Sequence, residues 1–283
     1  MKEIVLLVHH GTVEHMADMP GFLRNVRRGR EAPSELVSEM QHRYELIGGS
    51  PLHAIAGRVA AKLEHLLGMP VRAAGRLWHP YPREVLEGMA VERVVVVPLA
   101  QHSAQVYADA ARRDLAGIEV VAAENWGQNP ALLDAFERRV RARADADAAL
   151  VLTAHSLPMA VADGYEEEVA ASAAALTARV RGLFSDVHVA FQSQGAGADA
   201  GKWLGPSLTS VLDGLVGKRR VVVAPIGFLA DHVEILYDID IEAKALAKAR
   251  GLELSRTESL NDADDFVAVL EGIVRDLLHQ RPS

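Results

Sequence analysis

No cysteine occurs among the 283 residues. Disulfides, cysteine-ligated zinc and cysteine-ligated iron–sulfur clusters are therefore excluded, and a reducing compartment suits the chain. Long hydrophobic runs are missing too: none approaches the roughly 20 residues that a membrane-spanning helix needs. The apolar stretch Ile4-Val-Leu-Leu-Val8 is too short for a secretory core and leads into His9-His10, not into a small-residue cleavage site. A cytoplasmic protein with no transmembrane segment is expected. Positive charge is also scarce, with 30 Lys and Arg against 38 Asp and Glu and a formal net charge of -8. That balance does not suit a phosphate-neutralising surface, so nucleic acid is not an expected partner.

What is present is a core-forming α/β pattern, 49% hydrophobic, without a long structureless tract. Short β-branched runs alternate with longer helix-period segments, which predicts a parallel sheet flanked by helices. The expected strands are 4–8, 71–74, 94–98 and 119–122 in the first half. In the second half they are 150–154, 187–191, 221–225 and 252–255. Continuous runs such as Val94-Val-Val-Val97 suit strands covered on both faces. Ser50-Pro51 reads as a cap followed by proline at the first helical position, with Gly68 as the stop. Asn261 or Asp262 is the expected cap of a final helix with Phe266, Leu270, Ile273 and Leu277 on one face.

The halves echo each other. Arg93-Val-Val-Val-Val-Pro98 is matched by Arg220-Val-Val-Val-Ala-Pro225, and Leu7-Val-His-His10 by Leu152-Thr-Ala-His155. Two similar α/β domains are expected: residues 1–140, joined by a terminal helix over 262–280, and residues 141–261. The boundary is placed at 141–149 or one element earlier. Open α/β sheets bind ligands beyond the carboxyl ends of their strands. There the sequence places His10, then His102-Ser103, then His155-Ser156, then Asp231-His232 with Glu234, and the expected active cleft lies between the two domains.

His155 can act as a base or a metal ligand near neutral pH, although a lone histidine at a strand end is more often a core residue. Glu234, Asp238 and Glu242 fall at i, i+4 and i+8, an acidic stripe whose self-repulsion suits traffic of cations or protons. The plainer reading is a solvated face relieved by Lys244 and Lys248. Gly195-Ala196-Gly197 lacks the third glycine of a dinucleotide loop. Ser156 has no nucleophile elbow around it. Arg27-Arg28-Gly29-Arg30 suits a carboxylate or phosphate, or is simply solvated. His65, His188 and His279 read as surface or packing residues.

Several of these segments resemble ferrochelatases. Thr153-Ala-His155-Ser-Leu-Pro158 is similar to the Ser-Ala-His-Ser-Leu-Pro signature of that family, and Pro225-Ile-Gly-Phe-Leu-Ala-Asp-His232-Val-Glu234-Ile-Leu-Tyr-Asp238 to its second signature. Gln192-Ser193 with Trp203-Leu-Gly-Pro206 matches a third segment. Asn25-Val-Arg27-Arg28-Gly-Arg30 and Arg43-Tyr44-Glu-Leu-Ile-Gly-Gly-Ser50-Pro51 most resemble the Bacillus-type enzymes, which act on coproporphyrin III and not on protoporphyrin IX. The resemblance runs from about residue 4 to residue 275.

It implies two Rossmann-like, chelatase-type domains and a lyase that inserts Fe2+ into a porphyrin in haem biosynthesis. It further implies that His155 and Glu234 bind the metal or take the pyrrole protons. Arg27, Arg43, Tyr44, Ser50, Ser103 and His10 would contact the porphyrin, and Asp231, His232, Asp238 and Glu242 would carry protons or metal. Iron is a substrate, no cofactor is obligatory, and a monomer is favoured. The chain departs from the Bacillus type at His10, which stands where that type has a tyrosine approaching the iron. Gly127 replaces another tyrosine near the substrate. A cobalt or nickel chelatase for another tetrapyrrole, and a non-catalytic haem or metal carrier, are the alternative readings.

Overall fold

The computed structural model describes residues 2–194 and 202–279; Gly195-Ala196-Gly197 lies outside them. Among the described residues, eight strands form two four-stranded sheets with all strands parallel. The first holds β1 (Glu3–His9), β2 (Val71–Gly75), β3 (Arg93–Pro98) and β4 (Glu119–Ala122), in the order β2-β1-β3-β4. The second holds β5 (Asp145–His155), β6 (Phe184–Gln192), β7 (Arg220–Ala224) and β8 (Glu253–Arg256), in the order β6-β5-β7-β8. The echo between the halves is therefore one of topology: each sheet is ordered second, first, third, fourth.

The helices follow in chain order. They are α1 (Met19–Val26), α2 (Ser34–Leu46), α3 (Leu52–Leu67), α4 (Pro82–Val85), α5 (Ala104–Asp114) and α6 (Pro130–Arg141). After these come α7 (Tyr165–Arg179), α8 (Leu208–Gly214), α9 (Val233–Leu236), α10 (Lys244–Ala249) and α11 (Asp264–His279). Between α9 and α10 the chain widens into a π-helical turn, Asp238–Ala243.

The central strands β1, β3 and β7 and the second half of β5 are apolar runs because both faces of each sheet are covered there. Ile4, Leu6 and Val8 of β1 pack with Val94, Val96, Ala111 and Leu115, toward α5. Val5 and Leu7, equally buried, point the opposite way by strand alternation. In the second sheet, Val151, Val221 and Val223 pack with Leu212, Ile235, Ile239 and Ala247. Ala154 and Phe191 pack with Val169 of α7 and with Leu204.

The chain divides into two compact units. One comprises Met1–Trp126, Ala230–Val233 and Asn261–Ser283; the other comprises Gly127–Leu229 and Glu234–Leu260. The division falls before α6, and that helix is held to the second unit by local contacts. Arg179 of α7 pairs with Asp134 and Glu137 of α6, and Arg141 donates to the Arg179 carbonyl at 2.9 Å. In the first unit, α11 packs on α3 and β3.

Two expected caps are corrected. α3 ends at Gly68 in the left-handed conformation (φ 66°), as its sequence predicts, but Ser50 makes no cap bond at the other end. Its hydroxyl oxygen is buried and has no hydrogen-bond partner among the described residues. α11 begins at Asp264. Asn261 bonds instead to Asp231, and Asp262 holds Arg58 at 3.0 Å.

Candidate active site

His155 is the last residue of β5, the strand flanked by β6 and β7. At this point the strand order reverses, and a parallel sheet leaves an opening beyond its strand ends. Local bonds fix the strand end. The Ser156 N–H donates to the Gln192 carbonyl at 2.8 Å, and Tyr165 donates its hydroxyl to the His155 carbonyl at 3.0 Å. The Ser156 hydroxyl is spent on the Leu204 carbonyl, and the residue is fully buried, so it offers no nucleophile.

The loop after β7 crosses this strand end at close range. Gly227 N–H donates to the Thr153 carbonyl at 2.9 Å, and a Cβ on Gly227 would sit 2.6 Å from both Cα and Cβ of Ala154. Only glycine fits there without displacing the residue before His155. Gly227→Ala is expected to cost about 1–3 kcal/mol of stability. A lower melting temperature, together with slower turnover of the folded protein, is the outcome to look for.

Beyond that loop, Ile235 and Ile239 are both fully buried in the core of the second unit, each contributing on the order of 1.5–3 kcal/mol. Glu234 and Asp238 each precede one of these anchors. Glu234 Oε2 consequently lies 2.9 Å from His155 Nδ1, with the two side chains 26% and 33% exposed. Nδ1 itself is shut off from solvent, and its approach to the carboxylate is off the line of a well-formed hydrogen bond. The contact acts mainly through charge. Burial alone would lower the His155 pKa, but the charge and contact of Glu234, assisted by the charge of Asp238, outweigh it and hold the imidazole above its ordinary value.

The acidic stripe is not the uniform α-helix expected from its spacing, because the π-helical turn begins at Asp238. Asp238 is buried and accepts the Ser193 hydroxyl, whereas Glu242 is exposed. Lys244 pairs with Asp240 at 3.0 Å, and Arg256 reaches the same carboxylate at 2.8 Å. The relief expected from lysine therefore falls on Asp240, which is not a stripe residue. Among the described residues, no cluster of three or more His, Cys, Asp or Glu is arranged to hold a metal.

The other expected site residues belong to the first unit. His10 Nδ1 lies 3.3 Å from the Tyr107 hydroxyl, and the Arg76 guanidinium sits over the Tyr107 ring at 4.8 Å. Tyr44 is buried and shares a 2.9 Å hydrogen bond with Thr12, two residues after His10. Arg43 pairs with Glu39 one helical turn away at 2.5 Å. Arg27 follows α1, and its Nε, like the Ser50 hydroxyl, is buried without a hydrogen-bond partner among the described residues. Ser103 precedes α5 without capping it; Asn125 accepts the Ala104 N–H instead. Asp231 exchanges two hydrogen bonds with Asn261 at 2.8 and 2.9 Å. His232 Nδ1 donates to the Ala230 carbonyl at 3.0 Å, since a carbonyl only accepts. His102 is buried, and burial lowers its pKa to about 4.

His9 went unread in the sequence. Its Nδ1 accepts the Gly11 N–H at 3.1 Å, so its proton sits on Nε2, 3.3 Å from His53 Nδ1. Burial first, then His53 and His10, lower its pKa to about 3. The His9-His10 doublet was the available signal, because neighbouring strand residues face opposite ways.

A profile of the ferrochelatase family matches residues 2–278. A ferrochelatase from Acidobacterium capsulatum is 35% identical, over 97% of this chain and 94% of its own length. A protein from Mycobacterium marinum named coproporphyrin III ferrochelatase is 32% identical, over 97% of this chain and 87% of its own length. Among solved structures, SirB from Bacillus subtilis with Fe3+ superposes with a TM-score of 0.60 at 14% identity, a likeness of fold alone; it covers 99% of this chain and 96% of that one. With a family profile along nearly its whole length and relatives above 30% identity, this chain belongs to the ferrochelatase family of metal chelatases.

Proposed function

We propose that this chain inserts ferrous iron into coproporphyrin III in haem biosynthesis, with His155 as the base that takes a pyrrole proton. The observation that carries the reading is the His155–Glu234 contact at 2.9 Å, at the end of a central parallel strand. Metal insertion releases two pyrrole protons. The Glu234 carboxylate beside Nδ1 stabilises the imidazolium, so the opposite nitrogen, Nε2, becomes the better proton acceptor. Asp238 and Glu242 follow Glu234 along the chain and supply carboxylates for the second proton or for the incoming cation. Imidazole and carboxylate are also competent donors to Fe2+, and they accept Co2+ and Zn2+. Iron here is a substrate, and the reading needs no resident cofactor.

The preference for coproporphyrin rests on the first unit. Arg27 and Arg43 offer guanidinium groups suited to carboxylates. The buried Arg27 Nε and Ser50 hydroxyl have no protein partner among the described residues and fit a polar ligand group. Coproporphyrin III carries four carboxylates. The curated relative from Mycobacterium marinum bears that substrate in its name. His10, Tyr44 and Ser103 complete the substrate set, with Asp231 and His232 assigned to metal or proton passage. No described helix is long and apolar enough to cross a membrane; a cytoplasmic monomer is part of this reading.

The test mixes purified protein anaerobically with Fe2+ and either coproporphyrin III or protoporphyrin IX. It follows loss of porphyrin fluorescence and growth of the metallated absorption bands. Insertion into coproporphyrin III is expected to be faster. Arg27→Ala is expected to raise the KM for coproporphyrin by about tenfold, the loss of one charge-assisted contact. Faster turnover of protoporphyrin would reverse the substrate assignment. Tight binding of both porphyrins without insertion would identify a carrier.

A further inference from the structure

Gln192 ends β6 beside His155, and each bond it makes bears on the candidate pair. Its main chain lies in register with His155 across the β5–β6 pairing. Its carbonyl accepts the Ser156 N–H at 2.8 Å. Its side chain, only 4% exposed, spans two other elements. Oε1 accepts the Thr153 hydroxyl at 2.8 Å, and Nε2 donates to the Glu234 carbonyl at 2.7 Å. The amide has no choice of orientation, because the Glu234 carbonyl can only accept. The next residue adds a second hold. Ser193, in the left-handed region at φ 62°, donates its hydroxyl to the Asp238 carboxylate.

Glu234 needs such a fastening. α9 extends only from Val233 to Leu236 before the π-helical turn takes over. So short a helix contributes few internal bonds of its own. Ile235 anchors the segment in the core, but an apolar contact resists rotation about the helix axis less than a directional hydrogen bond does.

We propose that Gln192 is a positioning residue: its buried amide, bridging Thr153 to the Glu234 carbonyl, sets the separation of His155 from Glu234. The role rests on the reading of His155 and Glu234 as the reacting pair. The bridge is polar in a fixed sense, with an acceptor toward Thr153 and a donor toward Glu234. Leucine supplies neither. An ionised glutamate offers acceptors on both sides, but a protonated one restores the donor.

Three substitutions test the bridge. Gln192→Leu is expected to lower kcat for iron insertion by about tenfold while the porphyrin KM stays within about twofold, as for a lost alignment of reacting groups. Thr153→Val keeps the shape of the strand residue and is expected to lower kcat by about threefold, the loss of one neutral hydrogen bond to the bridge. Gln192→Glu should approach the wild-type rate as pH falls and its carboxyl gains a proton; comparison with wild type at each pH removes the titration of His155 itself.

A readout independent of turnover is the NMR signal of the His155 ring. It should move in Gln192→Leu and Thr153→Val, while that of His188, on the same sheet, stays. If the wild-type protein inserts no iron, the function proposed above fails, and the ring signals still report on the bridge. Unchanged kcat and unmoved ring signals in both Gln192→Leu and Thr153→Val would overturn the proposal. Should Gln192→Leu not fold, Thr153→Val alone decides.

Discussion

His155→Ala is expected to lower kcat for iron insertion by about a thousandfold, within the range for loss of a positioned general base. The substitution removes the imidazole at the end of β5, whose hold on a proton is strengthened by the adjacent Glu234 carboxylate. Glu234 remains but is a weaker base than the imidazole it supports. The porphyrin KM should change little, because the arginines assigned to the substrate carboxylates are untouched. The fold should persist as well: a third of the His155 side chain is exposed, and its main-chain bonds to β6 do not involve the ring. Anaerobic fluorescence quenching measures the rate, and a circular dichroism melt checks the fold. Added imidazole should restore part of the rate if a small base can enter the space left by the ring. A variant retaining more than about a tenth of the wild-type rate would remove His155 from the role of base.

Much of the architecture was legible because burial on two faces leaves a mark that needs no long-range information. Each of the eight strands overlaps its expected range, although β5 starts five residues and β6 three residues earlier than expected, and the paired motifs Arg93–Pro98 and Arg220-Val-Val-Val-Ala-Pro225 occupy the same place in two sheets of identical order. His155 and Glu234 were legible through their signatures, and their contact could be inferred only from the order of the strands. What escaped depends on partners distant in sequence. Ser50-Pro51 has the look of a cap, yet the buried hydroxyl makes no bond to the helix. Regular spacing of Glu234, Asp238 and Glu242 suggested one α-helix. In the π turn Ile239 and Ala243 are buried in the core while Asp240 pairs with Arg256, sixteen residues on. The bridge through Gln192 joins residues 39 and 42 positions apart and was visible only as a matched motif.

Glu234→Gln should change the pH dependence of the reaction as well as its size. In the wild-type protein the His155 pKa is raised, so the imidazole is protonated through a wider range and the base becomes available only as pH climbs through that raised value. Glutamine removes the charge that opposes burial. The pKa then falls, and the acid limb of the rate profile moves to lower pH. At the plateau the rate should still be lower, by about a hundredfold, since the imidazolium formed in the reaction loses its counter-charge. Stability supplies an independent check of the sign. A histidine with a raised folded pKa contributes stability that is fully present below the unfolded value of about 6.5 and is lost as pH rises through the folded value. The stability difference between wild type and Glu234→Gln should therefore be largest in mildly acidic buffer and shrink toward alkaline pH, although partial exposure of both side chains keeps it small. An acid limb that stays in place would mean that the carboxylate does not govern the His155 proton. Glu234 would then act on the cation alone, with the base to be sought elsewhere.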